Sequence, residues 1–428
     1  MLSFVSKIPL PVTHFNIILN PTIWKQSQFV SKAQVFWAQK TWVSIRVEYT
    51  TVRTLYIIMY FEISKKELLT PLKMITGVVE QRQTLPILAN TLVAVKGNQL
   101  HLTATDAEVE IACRLPLGSE NLGNNNDGET TIPARKFFDI CKSLSEGVAI
   151  QVTMEENQVT IKAGKSKFKL QTLPAEDFPS SPQIQEPTAF RISQQELKKL
   201  LSKTSFCVAI NDVRYYLTGL LLEIGEGKIS LIGTDGHRMA VAQHDFDCSE
   251  TAKVIIPRKA VLELSKLLTD SDTEVNVSFD ENHIRFELND SLVMSSKLID
   301  GNFPDWHGVI PHNPDKMVVA EKTLLKDSLS RVSILSNEKY KGVRFQLSTN
   351  LLTISAKNAY QEEAEEIVEV EYTGDELEIG FNGVYMLDAI NVVSTKMVQL
   401  AFSDSNSSCL ITEEDNEDSK FIVMPMRL

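Results

Sequence analysis

Asp235 and His237, inside the string GTDGHRMAVA (233–242), are the pair in this sequence best placed to do chemistry. An imidazole beside a carboxylate suits a general base, and two residues apart on one strand they would share a face. Their surroundings argue against that use. No G-x-S-x-G string supplies a nucleophile. The 428 residues also hold no phosphate-binding loop, H-E-x-x-H or dinucleotide fingerprint. Asp106 and Asn358 occupy the matching place in two other copies of the same pattern, neither with a histidine. A residue that recurs without its partner reads as a turn former, so an enzyme is not expected. A metal-dependent nuclease using Asp106, Asp235 and nearby acids is a competing reading, which magnesium-dependent cleavage of DNA would support; a scaffold that binds peptides only is another. Cys113, Cys141, Cys207, Cys248 and Cys409 are scattered, with no C-x-x-C and no paired histidine spacing. They suit neither zinc nor a disulfide framework and point to a reducing cytoplasm. No cofactor and no metal is expected.

Charge carries more information than nucleophiles do. In GKSKFKL (164–170), Lys165, Lys167 and Lys169 alternate and so share one strand face, with Phe168 and Leu170 on the other. The run QEEAEEIVEVE (361–371) holds six acids in eleven residues. As edges of two different chains these segments would fix orientation by charge, with Phe168 and Leu170 supplying the burial. The chain as a whole has a formal net charge of −12. Helices are expected over 64–79, 133–144, 193–208, 257–268, 321–336 and 382–393. The first four carry +2 each, the fifth +1 and the sixth −1, leaving the acids concentrated elsewhere. A basic helical side on an acidic protein suits a polyanion held by its backbone charge, without base reading.

These residues sit in a pattern stated three times from about residue 60. FEISKKELLTPL (61–72) returns as FRISQQELKKLL (190–201), and TIPARKFFDICKSL (131–144) as IIPRKAVLELSKLL (255–268). FKLQTLPAEDFP (168–179) returns as VMSSKLIDGNFP (293–304). A fainter third copy runs from VAEKTLLKDSL (319–329) through LEIGFNGVYMLDAINVV (377–393) to FIVMPMRL (421–428). The period is that of a domain rather than of a solenoid unit. Ser64 with Glu67, and Ser193 with Glu196, form S-x-x-E capping boxes, and Pro133 and Pro257 suit an early helical position. Alternating runs such as 91–106 and 219–235, broken by glycine turns, read as antiparallel hairpins. Each unit is thus α+β, with two helices backed by antiparallel sheets of six to eight strands; NLGNNNDGE (121–129) reads as a surface loop.

Residues 1–58 fall outside the pattern. They hold Trp24, Trp37 and Trp42, a single acid (Glu48) and six Lys or Arg, and Met59 stands just before the first unit opens. The expectation is that the native chain starts at Met59 and that 1–58 is an upstream extension, the alternative being a targeting peptide. No run of 18 apolar residues is present, so no membrane partner is expected.

DVRYYLTGLLLE (212–223), GTDGHRMAVA, IIPRKAVLELSKLL, ILSNEKYKGVR (334–344), QEEAEEI (361–367) and VMPMRL (423–428) together closely resemble the bacterial sliding clamps, the beta subunits of DNA polymerase III. The resemblance covers Met59 to Leu428. It implies three clamp domains, 59–182, 183–313 and 314–428, forming half of a ring, with a second copy joined head to tail and helices lining the hole. Such a ring is a non-catalytic processivity factor around duplex DNA, opened by a partner's ATP hydrolysis. Its partners would be the polymerase alpha subunit, the clamp loader, and other polymerases and repair proteins carrying short clamp-binding peptides. The peptide pocket would use Leu217, Thr234, Gly236, His237, Arg238, Met239, Pro304, Val309 and Ser408, then Ile422, Val423, Met424, Pro425, Met426, Arg427 and Leu428. Gly308, beside His307, stands where family members often place a basic residue. DNA contacts carried over are Arg82, Arg135, Asn211, Tyr215, Tyr216, Arg258 and Lys259. The dimer seam would join Lys136, Lys165, Lys167, Phe168 and Leu170 to Ile334, Leu335, Glu362, Glu363, Glu365 and Glu366. For the extension, a peptide map of the native protein is the check: it is expected to contain no peptide from 1–58, and one such peptide would refute the Met59 start.

Overall fold

The computed structural model describes residues 33–37, 43–47, 57–80, 85–118, 126–179, 184–185, 187–246 and 251–427. Arg82, Cys248, Leu428 and the loop 119–125 lie outside the described residues, as does most of 1–58. Contacts divide the chain at Tyr56 and Ile57. Before that point the strands Ala33–Trp37 and Val43–Val47 pair as an antiparallel hairpin. All that follows concerns 57–428.

That part repeats one plan three times, each repeat showing eight strands and two helices among the described residues. The helices are α1 (Lys65–Thr76) and α2 (Ala134–Ser143) in the first repeat, α3 (Gln194–Thr204) and α4 (Arg258–Leu267) in the second, α5 (Lys322–Ser333) and α6 (Gly383–Val392) in the third. Ser64 caps α1 through a full capping box with Glu67. Ser193 accepts from the Glu196 N–H at α3, while the Glu196 carboxylate turns to Lys199 and His244. The helices are shorter than their apolar periodicity suggested. Pro133 and Pro257 end their strands and sit just before the helices rather than inside them; with φ of −53° and −56° and extended ψ they serve both elements. The expected loop at 121–129 also ends early, because Gly128 and Glu129 open the strand Gly128–Pro133.

Each repeat contributes two four-stranded sheets, and most of these fuse between repeats. The strand Leu292–Lys297 of the second repeat pairs with Val109–Pro116 of the first, making one eight-stranded sheet. In the same way Asn416–Val423 of the third pairs with Arg238–Asp245 of the second. Two four-stranded sheets remain, with free edges at Ser166–Gln171 in the first repeat and Glu363–Glu369 in the third. The first is the counterpart of Leu292–Lys297 and Asn416–Val423; the second is the counterpart of Val109–Pro116 and Arg238–Asp245. Two seams of one kind are therefore closed within the chain, and the two halves of a third are left open.

Helix ends reinforce the closed seams. Beyond α3, Phe206 packs against the core of the third repeat and Cys207 belongs to it. Beyond α1, Val78 is fully buried and Gly77 lies so close to Glu263 of the second repeat that a Cβ would stand 2.5 Å from its Oε2. The matching residues beyond α5 are Ile334 and Leu335, and Ile334 is 76% exposed.

Three charged ties cross the seams on the helix side. Lys259 at the start of α4 is ion-paired with Glu80 and Asp106 of the first repeat. Arg238 donates from Nη1 to Asp388 Oδ2 at 2.6 Å and from Nη2 to the Phe206 carbonyl at 2.9 Å, with its guanidinium 4.3 Å from the Tyr385 ring centroid. Lys203 is buried and donates to both oxygens of Glu413 (2.9 and 2.8 Å) and to Ser419 Oγ at 2.9 Å. Glu413 also accepts from the Ser394 N–H and from Asn416 Nδ2, at 2.6 and 2.7 Å, so few of its lone pairs go unused.

Burial raises the Glu413 carboxyl pKa, but the hydrogen bond from Lys203 and the Ser394 N–H outweigh it, leaving the group below its ordinary 4.5. A carboxylate depressed in the folded state stabilises above its unfolded pKa and loses that contribution as pH falls through the folded value. Lys203→Met strands the buried carboxylate and is expected to cost about 3–5 kcal/mol, while Lys203→Met with Glu413→Leu recovers most of it. Urea unfolding at pH 7 and pH 3 checks both points: the double variant should lose less stability on acidification than the native chain.

Candidate protein-docking groove and nucleic-acid face

Cross-strand register identifies which residues share the outer sheet face, away from the helices. In the second repeat, Leu221, Ile232, Val241 and Ile255 form one row, and Met239 with Ile422 the next. All are buried, and with Trp306 they make an apolar cluster distinct from the two main cores. Ile299, Phe303, Val309 and Ile310, from the segment leading into the third repeat, pack over it. Trp306 anchors this cover by donating from Nε1 to Glu223 at 2.9 Å.

The same register reads the equivalent positions elsewhere. In the first repeat they are Leu92, Thr103, Ala112, Thr131 and Glu110. In the third they are Arg344, Ser355, Glu365, Gly380 and Glu363. The third repeat's outer face is polar and charged, and the first keeps only Leu92 against a small cluster of Ile87, Leu88 and Phe178. The second has the larger apolar face, the place best suited to hold apolar side chains of a partner.

The sequence-expected pocket residues meet this cluster unevenly. Met239, Val309 and Ile422 belong to it. Leu217, 2% exposed, closes the neighbouring turn, where its carbonyl accepts from the Ala209 N–H at 3.0 Å. Pro304 lines a cleft of about 570 Å³ with Leu221, Ile255 and Trp306. Met424, 40% exposed, is held over the seam by donating its N–H to the His237 carbonyl at 2.9 Å. Met426 donates likewise to Gly380, at 2.8 Å, and with Arg427 borders a separate cleft of the third repeat. Pro425 is half-buried between them, and Ser408 precedes the strand Cys409–Glu413. Val423 is buried in the third-repeat core and offers a ligand no more than its backbone. Arg238 is likewise spent within the fold, since its guanidinium joins Asp235, Asp388 and Phe206. His307 stacks on Trp306 with ring centroids 3.6 Å apart, beside Gly308.

Asp235 and His237 do not share a strand. Thr234 ends its strand, and the next residues turn, with Gly236 at φ +85°. Asp235 Oδ1 accepts from the His237 and Arg238 N–H groups at 2.9 and 3.0 Å. Asp106 accepts from the Glu108 and Val109 N–H groups at 2.9 and 2.7 Å, and Asn358 from those of Tyr360 and Glu362 at 2.9 and 3.1 Å. All three are turn formers. Among the described residues no group of three His, Cys, Asp or Glu side chains is arranged to hold a metal, and the four described cysteines are free and buried.

The expected nucleic-acid contacts divide in the structure. Tyr215, 58% exposed, packs edge-on to Tyr216 with centroids 5.8 Å apart. Tyr216 is the packing member of the pair, lying against the apolar cluster. Asn211 is exposed on the same loop at φ +56°. Arg135 at the start of α2 is exposed and donates from Nη2 to the Val79 carbonyl at 2.7 Å. Arg258 is half-buried, with an unpartnered Nε. Lys259 differs from expectation: its ammonium is clamped by Glu80 and Asp106 and is a tie between repeats rather than a free phosphate ligand. Burial opposes its charge, yet those two carboxylates hold its pKa above the ordinary 10.5.

At the open edges, Lys167 and Lys169 are exposed and make no ion pair among the described residues. Lys165 does not lie on the strand face; it sits in the turn after Gly164, whose φ is +56°. Phe168 and Leu170 are half-buried against the core, and Lys136 is exposed on α2. Opposite in kind, Glu363 and Glu365 are exposed on the other edge, Glu363 paired with Lys357 of the adjacent strand, whereas Glu366 turns to the helix side and pairs with Arg331 at 2.7 Å. Glu362 accepts from Asn358 Nδ2 at 2.6 Å.

Sequence reasoning missed Leu221, Ile232, Val241, Ile255 and Trp306. Their signal was present: alternate positions in the strands of the second copy are all large and apolar, where the third copy has Arg344, Ser355, Glu365 and Gly380 and the first has threonine at two of four.

Comparison with known proteins covers the same 57–428 part. Family models for the DNA polymerase III beta subunit match its N-terminal domain at residues 59–182, its central domain at 191–305 and its C-terminal domain at 307–427. The beta sliding clamp of Pseudomonas aeruginosa is 49% identical over 372 residues, covering 86% of this chain and 100% of that protein. That of Escherichia coli K12 is 43% identical over 371 residues, again 86% and 100%. A crystal structure of the Pseudomonas aeruginosa clamp bound to griselimycin superposes with a TM-score of 0.83 at 49% identity, covering 86% of this chain and 100% of that one.

The turn at Gly236 offers a direct check on the groove's rim. A Cβ there would stand 2.7 Å from Arg214 Nη1, at a φ that side chains disfavour. Gly236→Ala is expected to destabilise the protein by about 1–3 kcal/mol, read as a lowered urea midpoint, whereas Gly308→Ala, whose Cβ would meet only Asp305 Oδ2 at an ordinary 3.8 Å, should leave the midpoint unchanged.

Proposed function

Because the chain belongs to the family of DNA polymerase III beta subunits, the bacterial beta sliding clamps, we infer that it is a processivity factor: a ring of two copies that encircles duplex DNA and tethers the replicative polymerase. It is not an enzyme. The observation that carries the dimeric ring is the pair of open strand edges. A strand edge presents unpaired N–H and C=O groups, and the closed seams give the register in which these edges would meet.

In the first seam Val109 pairs with Ser296, and in the second Arg238 pairs with Val423. The turns before Val109, Arg238 and Glu362 are closed alike, by N–H donation from Asp106, Asp235 and Asn358. The hairpins fix the other edge, where Leu170, Ser296 and Val423 correspond through their partners Val159, Ile284 and Cys409. Glu362 then faces Leu170 of the second copy. It follows that Glu363 meets Lys169, Ala364 meets Phe168 and Glu365 meets Lys167. The ion pairs fall on the outer face and the apolar contact on the helix face. Ile334 and Leu335 then enter the neighbour's core as Phe206 and Cys207 do at the second seam. A second copy related by a rotation that closes the ring uses both of these edges.

Within the ring the repeats act as domains 59–182, 183–313 and 314–428. Arg135 and Arg258 supply phosphate contacts, and Tyr215 and Asn211 supply contacts to the strand. Such contacts carry no sequence information, as sliding requires. The groove of the second repeat takes short apolar peptides of the polymerase alpha subunit, the clamp loader and repair proteins, and griselimycin, which the Pseudomonas aeruginosa clamp binds, would compete there. Burial of two large apolar side chains is worth roughly 3–6 kcal/mol, which leaves binding exchangeable once ordering costs are deducted. The protein works in the cytoplasm, where a bacterial chromosome lies.

Retention on closed circular DNA after loading, with release once the circle is cut, tests the encircling ring; loss from intact circles would refute it. For the groove, Met239→Glu copies the third repeat and is expected to lower affinity for a Leu/Phe-ended peptide at least about tenfold while leaving the dimer intact. The register has its own check in charge reversal. Lys167→Glu with Lys169→Glu should weaken dimerisation, more at low salt than at high. Adding Glu363→Lys and Glu365→Lys should restore it, and failure of that rescue in sedimentation would discard the register.

A further inference from the structure

The three seams align residue for residue, so one buried position can be read three times. On the first helix of each repeat the residue facing the seam is Met74, Lys203 or Arg331. Met74 lies against the joint core that includes Leu288 and Leu292. Lys203 meets Glu413 and Ser419, the counterparts of those two leucines. In both closed seams the residue answers to the neighbouring repeat: apolar to apolar, or cation to anion.

The open seam breaks that rule. In the approaching copy the counterparts of Glu413 and Ser419 are Ala163 and Ser166, which bring no charge. Arg331 instead finds its anion in its own repeat. It donates from Nε to Glu366 Oε1 at 2.7 Å and from Nη2 to Oε2 at 2.9 Å, and Nη2 also reaches Ser328 Oγ at 3.1 Å. Glu366 in turn occupies the position that holds Cys113 and Ala242 in the closed seams, where only small side chains stand. An acid has thus been placed beside the cation on the same copy.

We propose that the Arg331–Glu366 pair is a release device, which makes the seam between copies separable where the other two are permanent. The inference rests on the dimeric reading above. Parting the second seam would strand Lys203 and Glu413 on opposite sides, each a buried charge without its partner. Parting the third carries an intact two-point ion pair into water. The outer Glu363–Lys169 and Glu365–Lys167 pairs separate too, but they are solvated in both states and contribute little. The copies are held together by backbone pairing and by Phe168, Ile334 and Leu335, and no orphaned charge opposes their separation.

Subunit exchange between donor- and acceptor-labelled copies of the full chain, followed by energy transfer after mixing, tests this. Arg331→Met and Glu366→Ala each leave a lone charge under the seam and are expected to speed exchange about tenfold. The double variant, which rebuilds the Met74 and Ala242 chemistry of the closed seams, should exchange about tenfold more slowly than the native protein. Arg331→Lys, retaining the charge pair, should exchange within about threefold of native and covers the case in which a single variant fails to fold. A folded double variant that exchanges as fast as the native chain or faster overturns the proposal. A native chain that sediments as a monomer at every concentration overturns the dimeric reading instead, before any variant is made.

Discussion

Unsatisfied strand edges are the constraint on which this molecule depends. A peptide group at a sheet margin must find a partner or stay in water, and a long exposed edge invites unwanted pairing. The three repeats deal with their margins by lending them to one another. Four of the six four-stranded sheets fuse in pairs into eight-stranded ones, and the lending runs in one direction along the chain. With three repeats and two internal seams, the first and last margins are left over. Their side chains are of opposite charge, one edge carrying Lys167 and Lys169 and the other Glu363 and Glu365. Charge on a free edge also discourages aggregation of the separate copies, so the same residues that would select the right neighbour turn away wrong ones.

Repetition of the fold does not mean repetition of the chemistry. Register shows the three outer faces to be equivalent in geometry, yet the second carries a larger apolar cluster than the first, and the third is polar. The three turn residues Asp106, Asp235 and Asn358 keep one structural duty in all repeats. What surrounds them differs: Asp106 also receives Lys259, Asp235 receives Arg238, and Asn358 receives neither. The scaffold is thus a constant, and its seams and faces are where substitution has room to make one repeat a docking place and another an edge.

Much of this was legible in the residues. The triplication, the paired hairpins, the cap at Ser64 and the opposed charges of the two edges are local patterns, and local patterns survive in a one-dimensional reading. The reading of Asn358 and Asp106 as turn formers also followed from their recurrence. Lys259 shows where such reading stops. Its neighbours Glu80 and Asp106 lie far away in the chain and meet it only after the first seam closes, so a lysine at a helix start looked free. Arg238 is a similar case, since Asp388 and Tyr385 reach it from the third repeat. The apolar floor of the groove was visible as alternation, but alternation alone does not say which face turns outward. Only cross-strand register, which depends on turn lengths and on the bulge at Thr412 and Glu413, separates the floor from the core.

The larger apolar face of the second repeat has a numerical corollary. Six repeats in a closed pair would carry two places for a client protein, not six. A twofold axis through the hole leaves top as top, so both places open on the same side of the annulus. Clients then gather on one face of the ring, on opposite flanks of the duplex, at most two at once, and any third must wait for a departure.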